Sequence, residues 1–153
     1  MKDAPADPFD LNRFVRAQAE DYEQALGELR AGSKRSHWIW YVLPQLKGLG
    51  QSEFSKYYGI TGLAEAKAYF EHGVLGARLK ECIEVMCALR GVSAEQVLGE
   101  IDARKFRSCL TLFALAASEP SVFTQSLGTY FAGKQCERTL ELLRVQRAPH
   151  REA

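Results

Sequence analysis

"KRSHWIWYVLPQ", Lys34 to Gln45, is the stretch on which the fold class turns. Trp38 to Leu43 run without a polar break, and their β-branched and aromatic content suits a buried strand. The same residues also suit a short helix. Ser36 can cap it, and it must end near Pro44, because the residue before a proline avoids the helical region. A strand here implies a mixed fold and a helix an all-α one. The surroundings favour the helix, since the segments on either side repeat at three and four residues.

Upstream, "DPFDLNRFVRAQAEDYEQALGELRAG" reads as one long helix. Asp7 can cap it with Pro8 at the first helical position, or Asp10 can cap a later start. Leu11, Val15, Gln18, Tyr22, Ala25 and Leu29 form an apolar stripe that Phe14 and Leu26 widen, and Gly32 suits the stop. Gln18 is the odd member of that stripe. An amide there is expected to be buried, hydrogen-bonded and close to the His37 segment. Downstream, "KGLGQS" is a loop, and Ser52 caps "SEFSKYY" up to Gly59.

The rest is a succession of helices. Thr61 can cap "GLAEAKAYFEH". Leu75, Leu79, Cys82, Ile83, Met86 and Leu89 share a face, with Gly91 as a stop. Ser93 and Gln96 make a capping box. Asp102 is read as the cap of "ARKFRSCLTLFALAAS", with Phe106, Cys109, Leu110, Phe113 and Ala117 inward. Pro120 starts "PSVFTQSLGTYFAG", and "CERTLELLRVQ" comes last. The pattern predicts an all-α, compact single domain over residues 7–146. It has roughly seven or eight short helices and at most a minor strand element, and is not a simple four-helix bundle. Residues 1–6 and 147–153 read as flexible tails.

Composition narrows the function classes. The 153 residues suit one domain with its own core. Lys plus Arg total 20 against 19 Asp plus Glu, without the basic excess of a nucleic-acid-coating protein. No apolar run approaches the ~20 residues that span a bilayer, and the start of the chain does not read as a signal peptide. The cysteines, Cys82, Cys87, Cys109 and Cys136, have no C-x-x-C spacing, so reduced thiols and a cytoplasmic location are expected. His37, His72 and His150 are too scattered for a metal site. No phosphate-loop, dinucleotide, zinc-protease or nucleophile-elbow motif is present. Neither a metal nor a cofactor is expected.

Candidate site residues gather around the opening stretch. His37 can act as acid, base or donor near neutral pH, or simply satisfy a carbonyl. On a helix Trp38 and Trp40 lie about 200° apart, and on a strand they share a face. Either geometry leaves one indole to line a pocket, where it can stack on a flat ring. Trp38 is assigned that role with His37, and Trp40 that of core anchor. Gly48 and Gly50, with Lys47 beside them, precede a helix start at Ser52, an arrangement that favours anions, although a plain turn explains it equally. Lys34 adds charge; Ser36, Gln18 and Gln45 can orient a ligand. Lys105, Ser108 and Leu112 share a face of their helix, with Thr111 beside it, that is either solvated or a pocket wall.

The segments "DPFDLNRFVRAQ", "GSKRSHWIWYVLPQLKGLGQS", "EAKAYFEHGVLGARL" and "DARKFRSCLTLF", taken in order, resemble the bacterial family catalogued as domain of unknown function 1810. The resemblance spans about residues 7 to 145 and implies a mainly α-helical fold. It implies no established activity. Cys109 stands where that family often has a second serine after Ser108, and Leu43 where it often has phenylalanine. A looser similarity links Phe14 to Gln18 and "TYFAGKQCERTLELL" with the NADAR proteins, which are tied to NAD-derived and ADP-ribosyl chemistry. Fold-level likeness carries no catalytic residue across.

Two functional readings follow. In one, the protein binds or hydrolyses a nucleotide or ADP-ribose-like molecule at an N-glycosidic bond, with His37 as acid or base. In the other, it is a non-enzymatic protein-interaction module. Ligand identity, enzymatic character and oligomeric state are not legible in the sequence.

Overall fold

The computed structural model describes residues 6–147. The tails expected at 1–6 and 147–153 lie outside the described residues, apart from Ala6 and Arg147. Among the described residues there are nine helices and no sheet, which makes the fold all-α. The decisive stretch is helical, but for one turn only: α2 is Ile39–Val42, ended before Pro44. Ser36 does not cap it, because its hydroxyl turns to Glu28 instead. The minor strand element is a single parallel pairing of Leu46 with Ile60, held by Lys47 N–H on the Ile60 carbonyl at 2.7 Å and Ile60 N–H on the Gln45 carbonyl at 3.0 Å.

α1 runs over Asn12–Ala31. Asp7 does cap it, accepting the N–H groups of Leu11 at 2.8 Å and Asn12 at 3.0 Å. Pro8 is not the first helical residue, because a turn with Asp10 at φ 52° intervenes. Gly32 closes the helix at φ 70°, a left-handed value that glycine takes without a Cβ penalty. α3, Glu53–Tyr58, is capped by Ser52 and has no buried residue. α4 is Leu63–Glu71, entered through Gly62 rather than a Thr61 cap. α5, Leu75–Ala88, buries the predicted face from Leu75 to Met86. α6, Ala94–Leu98, carries the Ser93–Gln96 capping box.

α7, Glu100–Ala116, is the central helix, packed against α4, α6, α2, α8 (Ser121–Phe131) and α9 (Glu137–Arg147). It starts after Gly99, so the expected Asp102 cap is a residue of its first turn. An acid there complements the helix dipole and is free to pair sideways. α1 packs on α5 and α2. Phe14, Tyr69, Phe106, Phe113 and Phe123 are wholly buried where these layers meet. Tyr69 joins Phe14 edge-on at 5.0 Å and Phe113 at 5.4 Å.

Candidate functional site

Arg35, Ser36 and Trp38 of the opening stretch converge on Glu28, a residue the sequence reading passed over. Its Oε1 accepts the N–H groups of Arg35 (2.8 Å), Ser36 (3.0 Å) and the Trp38 indole (2.9 Å). Its Oε2 takes the Ser36 hydroxyl at 2.7 Å. Partial burial works against the ionised form of Glu28. The hydrogen bonds from Arg35, Trp38 and Ser36 outweigh it and hold the carboxyl at about 2, below its ordinary 4.5. A depressed folded value means stability that is complete above about pH 4.5 and lost as pH falls towards 2. Because the carboxyl is only partly buried, Glu28→Gln is expected to cost about 1–2 kcal/mol at neutral pH. It should also flatten the acid limb of a denaturation-versus-pH curve between pH 5 and 2. An unchanged acid limb would assign that stability to other carboxylates.

This arrangement corrects the role given to Trp38. Its side chain is 1% exposed and its N–H is spent on Glu28, so it is a core residue with no face left for a ligand. Lys34 is drawn in with it. Its ammonium lies 4.9 Å from the Trp38 ring centre, pairs with Asp102 at 2.8 Å and donates to the Ser36 carbonyl. His37 is exposed, and its carbonyl accepts the Tyr41 hydroxyl at 3.2 Å. The chain thus turns between His37 and Trp38, and the two do not border one pocket wall together.

Trp40 takes the place expected of Trp38. Half-buried, it stacks on Phe54 of α3 with ring centres 4.9 Å apart and planes 26° from parallel. Tyr58 continues the stack, 6.3 Å from Phe54 at 13°. With Gln45, Ser55 and Gly59 these three rings line a shallow, solvent-open crevice with room for about one water, ~10 Å³. The Trp40 N–H is buried and without a partner. Lys105 lies 4.8 Å over the Trp40 ring and reaches the other oxygen of Asp102 at 3.6 Å. Asp102 therefore holds one ammonium over each tryptophan.

Gly50 of the glycine loop approaches this crevice, whereas Gly48 lies beside Leu142. Gly50 passes so close to Ser55 that a Cβ there would overlap its side chain, with the Gln45 amide nitrogen 4.0 Å away. Gly48 has φ 103°, and Lys47 beside it is exposed. Ser52 has its oxygen occupied by the Ser55 N–H at 3.1 Å as the cap of α3. Since α3 is only six residues long, this start is a turn and not an anion site of its own.

The other predicted residues lie elsewhere. Gln18 is buried as expected, and its amide is satisfied within the protein: it donates to the Tyr41 carbonyl at 2.6 Å and the Tyr69 hydroxyl at 3.0 Å, and accepts from Arg78 at 3.4 Å. It ties α1 to α2, α4 and α5 instead of facing a ligand. Ser108 and Thr111 are buried against Cys136, at 3.2 Å to its sulfur and 2.8 Å to its N–H. Only Lys105 of that trio lies near Trp40, over its ring and outside the crevice lining. Phe54 and Tyr58 had no marker beyond being aromatic. Glu28 carried a legible one: an acid in the last turn of a helix opposes the dipole and calls for a donor.

The comparisons agree with this architecture. The solved structure of a conserved hypothetical protein, Rv1873 from Mycobacterium tuberculosis, is similar to this chain at 47% identity with a TM-score of 0.89, covering 90% of this chain and 99% of that one. Comparison with curated proteins finds no match. The looser similarity to NADAR proteins has no counterpart among these findings. The model for proteins of unknown function DUF1810 matches residues 8–143, nearly the whole described fold, and the chain belongs to that family.

Proposed function

We propose that this protein binds a small molecule carrying a flat heteroaromatic ring, of the nucleobase or nicotinamide class, in the crevice beside Trp40 and Phe54. The buried, unpartnered Trp40 N–H carries the reading: it is a donor waiting for an acceptor in a wall of stacked rings. Aromatic faces take flat rings, and the Gln45 amide in the crevice lining offers both donor and acceptor. As it stands the crevice has room for about one water, ~10 Å³, against the roughly 300 Å³ of an ordinary ligand pocket, so a ring enters only if Phe54 moves away from Trp40. The end of α3 is held by Arg13 on the Tyr57 carbonyl and by Tyr58 against Phe14 and Tyr41, so it is the start of the helix, with Phe54, that shifts to admit the ring.

Binding is favoured over hydrolysis. The crevice lining contains no carboxylate or imidazole, and N-glycosidic cleavage would require the exposed His37 to reach the far end of the ligand. The test is thermal shift against nicotinamide, NAD, ADP-ribose and adenine nucleotides. A ligand at about 100 times its Kd adds ~2.7 kcal/mol. Phe54 is 53% exposed, so Phe54→Ala is expected to leave the Tm within a few degrees while weakening binding about tenfold or more. Absence of any shift in the unmodified protein across this set would sink the reading.

One observation favours a protein partner instead. Phe54 and Tyr57 are 53% and 52% exposed, and three residues apart on α3 they stand side by side. A ring ligand does not touch Tyr57, which is outside the crevice lining, whereas a docked protein would cover both. Loss of binding in Tyr57→Ala equal to that in Phe54→Ala would favour the partner.

A further inference from the structure

α9 begins at a cysteine. Cys136 occupies its capping position: the Leu140 N–H donates to the Cys136 carbonyl at 3.2 Å, and the N–H groups of Arg138 and Thr139 face its sulfur. A helix N-terminus favours negative charge on that atom. From the other side α7 presents Ser108, whose hydroxyl oxygen is 3.2 Å from Sγ and 3.1 Å from the Arg104 carbonyl. A hydroxyl has one proton to give. Beside a neutral thiol it stays on the Arg104 carbonyl and the oxygen accepts from S–H. Beside a thiolate it swings to the sulfur. Thr111 gives its own proton to the Arg107 carbonyl at 2.8 Å and accepts the Cys136 N–H at 2.8 Å, which pins the backbone of the turn.

Thr139 supplies an independent observation. It is 0% exposed, and its hydroxyl faces Sγ without hydrogen-bond geometry to any atom in the resting state. A buried hydroxyl with no acceptor calls for one that arrives. Neither the core nor the Trp40 crevice uses this group.

We propose that Cys136 is a modification site, a thiol that reacts with hydroperoxides, and that the Ser108 and Thr139 hydroxyls receive the oxygen it acquires. The thiolate sulfur attacks one oxygen of the peroxide. An S–O bond forms, the O–O bond breaks, and the distal oxygen leaves as hydroxide, which takes up the proton the thiol released and becomes water. Sulfur is oxidised by two electrons, the peroxide is reduced, and the product is a sulfenic acid. Its oxygen is the acceptor that Thr139 lacks.

The other thiols are built differently. Burial pushes Cys82 up to about 12 and Cys109 well above the ordinary thiol range. Burial also acts on Cys136, but the Ser108 hydroxyl and the N–H groups of Thr139 and Arg138 outweigh it and hold the thiol below its ordinary value. Cys87 is half-buried like Cys136, so it serves as an internal standard.

The full chain is treated with stoichiometric hydrogen peroxide in the presence of dimedone, which traps sulfenic acids, and each cysteine is quantified by peptide mass spectrometry. Cys136 is expected to be trapped about tenfold faster than Cys87, and Ser108→Ala or Thr139→Val to slow Cys136 by about tenfold without changing Cys87. Equal trapping of Cys136 and Cys87 overturns the proposal, as does an unaltered Cys136 rate in both variants. Trapping of Cys82 and Cys109 in a variant marks lost folding. The Cys136-to-Cys87 ratio in the unmodified chain then decides.

Discussion

Arg13→Ala is expected to destabilise the protein by about 3–5 kcal/mol in urea unfolding, among the largest effects of any single change. The Arg13 side chain is 8% exposed and its partner Glu65 1%, with 2.8 Å between them. A buried pair broken on one side leaves an uncompensated charge, here Glu65, with only the N–H and hydroxyl of Thr61, both at 2.9 Å, for company. The guanidinium also donates to four carbonyls: Phe9 (2.5 Å), Asp10 (2.8 Å), Tyr57 (2.8 Å) and Gly59 (3.2 Å). All five of its N–H groups are engaged. This distinguishes it from ion pairs that can be exchanged for a hydrophobic pair at little cost. Arg13→Met with Glu65→Leu removes both charges and still orphans the carbonyls, so it should remain less stable than the native protein. A double variant as stable as the parent would show that water serves the carbonyls as well as arginine does.

Trp38→Ala is expected to cost about 3–5 kcal/mol, and Trp40→Ala about 1–2. Trp38 fills the core between α1 and α7, and its loss would open a cavity and leave Glu28 one donor short. Trp40 is half-buried under a helix that is itself largely exposed, so its removal should be read in ligand binding more than in Tm. Paired denaturation curves check this, and a larger loss for Trp40 would return it to the core. The assignment reverses the one periodicity suggests. Two tryptophans about 200° apart on a helix must face different ways, but composition does not say which faces in. Glu28 of α1 decides it, by accepting the Trp38 indole N–H from ten residues earlier in the chain.

The apolar stripe of α1, the capping box of α6, the Ser52 cap, Gly32 as a stop and the inward faces of α5 and α7 were all legible, because each depends on residues within a turn or two of one another. Gln18 was legible too: an amide within an apolar stripe has to be buried and satisfied. The extent of α2 was less so, since a one-turn helix has no periodicity to read. The Asp102 cap failed for a related reason. Gly99 opens α7 a turn earlier, and the carboxylate is claimed by Lys34 and Lys105.

By itself, then, the sequence determined an all-α chain, the faces its longer helices bury and the stretch around which polar and aromatic groups collect. Local capping and 3.6-residue periodicity act over short distances and are written in neighbouring residues. Tertiary structure alone decided what the polar groups do. Glu28 reaches forward to Trp38, Arg13 crosses to Tyr57 and Glu65, Ser108 meets Cys136, and α3 folds back to set Phe54 on Trp40. Most buried donors find an acceptor somewhere in the fold, and which one they find depends on how helices distant in sequence are packed.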